Sequence, residues 1–288
     1  MPVSVPEAIE EAGELAGSKS KGASDPRRFL LSAVLAGAFV GIAIVLLLSV
    51  GAPLVAAGSP LAKLVMGSVF GIALTLVVFA GGELVTGNMM VMTQGAIGRT
   101  VTWSRAGLVC LFALIGNFVG SVLLAAIVHG TGLFSNGPAS ELLASTVTAK
   151  DAASGPQLFW RAVLCNTLVC LGLWMASRTR SDAAKLAVLW WALLAFIASG
   201  FEHSVANMTA FSLAAFEGSG TWAMLGRNLL WTVPGNLVGG AVLVGAVYAY
   251  LGRPTTVTST ESAGATAAAM AEPVQPARGA ETPGLLAS

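Results

Sequence analysis

Two stretches decide how this chain reads: Glu83-Leu-Val-Thr-Gly-Asn-Met89 and Glu202-His-Ser-Val-Ala-Asn-Met208. They share a glutamate, an asparagine and a methionine at matching places, offset by 119 residues. A second pair, Gly116-Asn-Phe-Val-Gly120 and Gly235-Asn-Leu-Val-Gly239, falls at the same offset. Two matches at one offset mark an internal repeat. The glycines of the second pair are spaced small-xxx-small, which lets helices pack closely. The first pair lies inside long apolar runs and puts glycine, a carboxylate and an amide where a hydrophobic helix should be uninterrupted. Polar, irregular backbone at that depth is tolerated only when it is buried in protein or lines a cavity. The expectation is a broken helix in each half, with Asn88 and Asn207 near the start of the second half-helix. Thr86 and Ser204 are suited to capping. Glu83 and Glu202 are expected to support the breaks by accepting the backbone N–H groups they free. The N-terminus of a half-helix carries about half an elementary positive charge, so two of them meeting would attract an anion.

Composition sets the environment. The 288 residues hold 15 Lys and Arg and 14 Asp and Glu, or 10% charged against 55% hydrophobic. A typical soluble domain is about 25% charged. Only 15 of these charges lie between Phe29 and Gly252. This excludes a soluble globular enzyme, a disordered chain and a nucleic-acid binder with a basic face. Cys110, Cys165 and Cys170 all lie in apolar runs with no CxxC, and there are two histidines. No metal site and no cofactor are expected.

Six apolar runs long enough to span a membrane begin near Leu30, Leu64, Gly107, Phe159, Leu186 and Asn228. The second is interrupted at Gly81-Gly82-Glu83 and the fifth at Gly200-Phe201-Glu202-His203. Three spans per half is odd, so the second half enters from the opposite face and the repeat is inverted. The expected organisation is an N-terminal segment, 1–28, with a short amphipathic helix. A transmembrane domain follows over 29–252, with repeats at about 29–129 and 155–252. The tail, 253–288, is rich in Thr, Ala, Ser and Pro and reads as disordered. The glutamates at 7, 10, 11 and 14 argue against a signal peptide. With both termini inside, eleven Lys and Arg fall on the inner side and four, Lys63, Lys150, Arg161 and Arg227, on the outer. This fits the positive-inside rule and implies a multi-pass protein of the plasma (inner) membrane with cytoplasmic termini.

Gly200-Phe-Glu-His-Ser-Val-Ala-Asn-Met208 resembles a signature of the formate–nitrite transporter family, and Leu84-Val-Thr-Gly-Asn88 resembles the other, with Val85 where phenylalanine is usual. The resemblance runs from about Arg27 to Leu251. Leu164–Leu171 and Trp190–Ser199 look closest to its nitrite-channel branch. It implies an all-α integral membrane protein with six transmembrane helices in an aquaporin-like fold, helices two and five being broken. It also implies a homopentamer with one pore per protomer, passing small monovalent anions such as nitrite, formate, hydrosulfide or acetate. Carried over by motif, His203 is the central pore histidine and Thr86 the threonine facing it. Asn166 is the pore asparagine and Lys150 a lysine of the outer vestibule. Phe70 and Leu74 match one apolar constriction and Phe196 the other.

A bare anion entering a medium of low dielectric pays a Born cost of order 20 kcal/mol. Nitrite or formate should therefore pass two apolar rings only as the neutral acid. The expectation is that Lys150 and the half-helix dipoles draw the anion in. His203, or water ordered by it, then supplies a proton. A histidine that stays neutral and only hydrogen-bonds the substrate is the main alternative. The partners expected are a small monovalent anion, lipid and other copies of the chain, with no nucleic acid. An aquaporin-type pore for neutral solutes would need paired Asn-Pro-Ala boxes, and the chain has no Asn-Pro. An embedded enzyme would need a nucleophile–base pair or a metal cluster.

Overall fold

The computed structural model describes residues 2–253, so the expected disordered tail lies, from Pro254 on, outside the described residues. The described chain is built of helices. An N-terminal helix, α1 (Val5–Gly22), is followed by α2 (Pro26–Ala56). The second apolar run forms α3 (Ala62–Val69), α4 (Ile72–Thr75) and a π-helical turn, Leu76–Gly81. A break then leads to α5 (Val85–Ile97). Next come α6 (Trp103–Gly130), α7 (Gly137–Ala152), α8 (Gly155–Ser177) and α9 (Asp182–Ala198). After the second break lie α10 (Ser204–Phe216), α11 (Trp222–Leu237), a second π-helical stretch (Val238–Ala246) and α12 (Val247–Leu251).

By length and composition, five stretches can cross a membrane: Pro26–Ala56, Ala62–Gly81, Trp103–Gly130, Gly155–Ser177 and Trp222–Leu251. The fifth expected run is instead divided, into the 17 residues of α9 and the 13 of α10. Each break turns on one glycine in the left-handed region, Gly81 at φ +84° and Gly200 at φ +73°, where a side chain would be strained.

The two repeats are clamped by their small-residue pairs. α6 lies on α2 so closely that a Cβ on Gly120 would overlap the Val34 carbonyl, and one on Gly239 would overlap the Val163 carbonyl of α8. Ile127, Leu230 and Trp191 are more than 60% exposed. A surface this apolar faces lipid or another chain rather than water.

Two elements were not legible in advance. One is α7, which lies between the repeats, has Pro138 in its first turn and carries Lys150. The other is the length of α1, which runs 18 residues with Ser4 as its N-cap and packs across α5. Its backbone is tied down at Val3, whose N–H donates to the Arg178 carbonyl at 2.9 Å. Its side chains are tied by Glu11, paired with Arg180, and by Lys19.

Candidate functional site

The breaks free backbone N–H groups that must find partners. At the first, the Val85 N–H donates to Asn117 Oδ1 at 2.9 Å, and Asn117 Nδ2 donates to the carbonyls of Ala33 (2.7 Å) and Glu83 (2.9 Å). At the second, the Ser204 N–H donates to Asn236 Oδ1 at 2.9 Å, and Asn236 Nδ2 donates to Ala162 (2.8 Å) and Glu202 (3.0 Å). Both amides are fully buried. This corrects the expectation for the glutamates, because the freed N–H groups go to asparagines. The signal was present in the sequence: the second repeated pair carries Asn117 and Asn236 at matching positions beside its packing glycines.

The glutamates bind cations and amides instead. Glu202 Oε2 accepts from Asn207 Nδ2 at 2.7 Å and from Lys150 Nζ at 2.8 Å. Glu83 Oε2 accepts from Asn88 Nδ2 at 3.0 Å and from Lys19 Nζ at 2.6 Å. Each break is thus a Glu–Asn–Lys cluster whose charges cancel in place, which offsets the cost of burying a carboxylate. Both lysines come from helices outside the repeat, α1 and α7, so the repeat alone could not reveal them. Lys150, expected as an outer-vestibule lysine that draws the anion in, is the partner of Glu202 and is 21% exposed. With both carboxylates paired, the partial positive charge of the α5 and α10 N-termini is left facing the gap between them.

The two half-helices meet there. Thr86 Oγ1 and His203 Nε2 are 3.1 Å apart, and both residues are buried. The N-cap of α5 is Leu84 and that of α10 is His203, so the caps expected at Thr86 and Ser204 are displaced by one or two residues. The His203 ring does the capping: its Nδ1 accepts the Ala206 N–H at 3.2 Å. A nitrogen that accepts an N–H carries no proton, so the ring hydrogen sits on Nε2. Nε2–H then donates to Thr86 Oγ1. The Thr86 hydroxyl hydrogen has no other acceptor among the described residues, so it can be given to an acceptor in the gap. The result is a one-way relay of donors, Ala206 N–H to His203 to Thr86, fed from the helix N-terminus.

An aromatic wall closes the gap on one side. Phe196 stacks on His203 with centroids 5.9 Å apart and meets Phe70 edge-on at 5.5 Å. Phe70, Leu74 and Phe196 are all nearly fully buried. The structure therefore brings Phe70 and Phe196 into one contact and not into two separate rings, because the last turn of α9 packs against the junction of α3 and α4. Asn166 lies just behind. Its Nδ2 donates to the carbonyls of Thr86 (3.2 Å) and Asn236 (2.7 Å), so it holds the Thr86 segment in place and has no hydrogen left for a passing solute. Among the described residues no three His, Cys, Asp or Glu side chains gather as metal ligands would.

The chain is similar to known proteins. The family model for "Formate/nitrite transporter" matches residues 6–250. The nitrite transporter NirC of Escherichia coli (strain K12) is 43% identical over 231 residues, covering 79% of this chain and 85% of that protein. A solved chain described as an FNT family ion channel superposes with a TM-score of 0.80 at 40% identity, covering 86% of this chain and 99% of that one. Another, described as a pentameric formate channel with formate bound, gives 0.70 at 30% identity over 79% and 98% of the two chains.

Proposed function

The chain belongs to the formate/nitrite transporter family, and from that premise we propose that it passes small monovalent anions, nitrite or formate, across the plasma membrane as a homopentamer with one pore in each protomer. The observation that carries this reading is the meeting of Thr86 and His203 at two convergent helix N-termini. Such a gap favours an anion. The apolar contact of Phe70 and Phe196 beside it disfavours one. A solute that enters charged and crosses neutral satisfies both, because desolvation favours the uncharged acid.

His203 acts neutral in this reading. Its Nδ1 is committed to the Ala206 N–H, so protonating that atom would break the cap of α10. The ring instead polarises Thr86, whose hydroxyl donates to the substrate oxygen, and the proton arrives with the solute from the vestibule. Glu83 and Glu202, paired as they are, set the geometry of the breaks and leave substrate contact to Thr86. In this reading the chain is a conduit: with Nδ1 accepting from the Ala206 N–H, the His203 ring offers Thr86 a proton donor and not a base. The excess of basic residues beside α1 and α9 supports cytoplasmic termini.

The test is a panel of nitrite, formate, lactate and hydrosulfide fluxes into proteoliposomes across pH 5–8. Nitrite and formate flux should be fast and rise as pH falls. Water or glycerol flux without anion flux would overturn the assignment.

A further inference from the structure

The helix that follows the second break carries a polar ladder. Asn228, Thr232 and Asn236 stand four residues apart on α11, which puts them on one face, and none is more than 1% exposed. Asn236 holds the Ser204 N–H and the Glu202 carbonyl, on either side of His203. The other two hold the Glu202 side chain through Asn207. Thr232 Oγ1 donates to Asn228 Oδ1 at 3.3 Å, and Asn207 Nδ2 donates to the same oxygen at 2.8 Å. Asn207 Nδ2 also donates to Glu202 Oε2 at 2.7 Å.

The direction of this chain follows from its last member. The Glu202 carboxylate, paired with Lys150, only accepts, so the Asn207 atom beside it is the amide nitrogen. That nitrogen turns its second hydrogen to Asn228, which answers with oxygen, and the Thr232 hydroxyl facing that oxygen donates. The arrangement has a cost. With Oδ1 turned to Asn207, Asn228 Nδ2 is buried and finds no partner among the described residues, and an unmade buried donor destabilises a fold. The first break does without the ladder. Subtracting the repeat offset, 228 − 119 and 232 − 119 lead to Val109 and Ala113. Both are fully buried, and neither side chain can hold an amide. Asn88, the counterpart of Asn207, donates to Glu83 alone among the described residues. The chain thus keeps a costly polar pair beside the histidine and apolar packing beside the threonine.

We propose that Asn228 and Thr232 are positioning residues for His203, an inference that rests on the transport reading above and deepens it. Through Asn207 they fix Glu202, and a fixed Glu202 keeps the next residue in the extended backbone that lets its Nδ1 cap α10. A capped Nδ1 leaves the ring hydrogen on Nε2, aimed at Thr86. The threonine side needs no such lock: Asn166 holds the Thr86 carbonyl, and a hydroxyl turns to its acceptor by rotation alone.

Two measurements on the full chain in liposomes test this: nitrite flux, and nitrogen NMR of ring-labelled histidine. His129→Gln, away from the gap, serves as the background, because the chain has two histidines. The background should show the His203 hydrogen on Nε2. Thr232→Val and Asn228→Leu, which keep the volume and remove the bonds, should each move part of it to Nδ1. Each should also lower nitrite flux about threefold to tenfold, the value of one hydrogen bond. Thr232→Ser keeps the O–H and should match the background in tautomer, with flux within about twofold. Either apolar variant alone decides, should the other misfold. Reduced flux with the hydrogen still on Nε2 marks a merely structural role and overturns the inference, as does parent-like behaviour in both measurements. A parent chain that carries neither nitrite nor formate overturns the transport reading, and the tautomer then decides the positioning by itself.

Discussion

The two helix breaks are built from the same parts and differ in how firmly they are fastened. Both place a glycine in the left-handed region, a glutamate two residues on, an asparagine five residues after that, and a buried asparagine from the next helix that takes the freed N–H. At the second break Glu202 is 3% exposed. Its Asn207 also donates to Asn228 at 2.8 Å, and its cap is His203. At the first break Glu83 is 19% exposed, Asn88 makes no matching second bond, and Leu84 caps with no side chain. Lys150 belongs to α7, which packs among the spans, whereas Lys19 belongs to α1, laid across α5. Inversion has fixed the scaffold in duplicate while leaving the chemistry single. One break supplies the histidine, and the other supplies the threonine and is fastened from the N-terminal helix.

Removing one charge from each pair breaks the comparison hardest. Glu202→Gln should cost about 3–5 kcal/mol, because it strands Lys150 beside a buried site. Glu83→Gln should cost about 1–2 kcal/mol, since its pair is partly solvated. The check is thermal unfolding of the purified variants in one detergent, and equal melting shifts would refute the difference in fastening. Asn117→Ala and Asn236→Ala sharpen it from the other side. Each leaves a buried backbone N–H unpartnered, for about 2–3 kcal/mol, and the two should match, because the clamps match bond for bond.

The next effect is on flux. His203→Phe keeps a ring against Phe196 but ends the relay, so nitrite flux should fall about 10-fold to 100-fold, the value of a hydrogen bond to a charged group. Parent-like flux in liposomes would sink the relay. The smallest effect concerns the fastening of α1. Its hydrogen bond with the Arg180 guanidinium holds the Glu11 carboxyl below its ordinary value of 4.5. A lowered carboxyl contributes fully above the unfolded value and loses its contribution as pH falls through the folded one. The docking of α1 should thus be unchanged from pH 8 to 5 and weaken only below about 4.5. A spin label at Gly17→Cys should gain mobility only in that acid range, and Glu11→Gln should remove the pH dependence.

Much of this was legible before the structure. The offset of 119 residues located both breaks, and the family signatures carried Thr86 and His203 to their positions. What failed was whatever depends on contacts between distant segments. Lys19 and Lys150 lie on helices outside the repeat, so no internal match could assign them to Glu83 and Glu202. The equivalent positions of Glu83 and Glu202 point to a shared supporting role but do not show which groups they hold. Asn117 and Asn236 take the freed N–H groups from 32 residues away, and their repeat was read for its glycines alone. Phe70 and Phe196 were assigned to separate constrictions, because a motif shows that a residue is apolar but not which ring it meets across the pore.

The central claim is that the donor of one break works through the hydroxyl of the other. Nitrite flux into proteoliposomes at one pH, compared between Thr86→Ser and Thr86→Val, tests it most directly. The serine variant keeps an O–H beside His203 Nε2 and should retain flux within about threefold, whereas the isosteric valine should lose about tenfold or more. Equal flux through both variants would contradict the account.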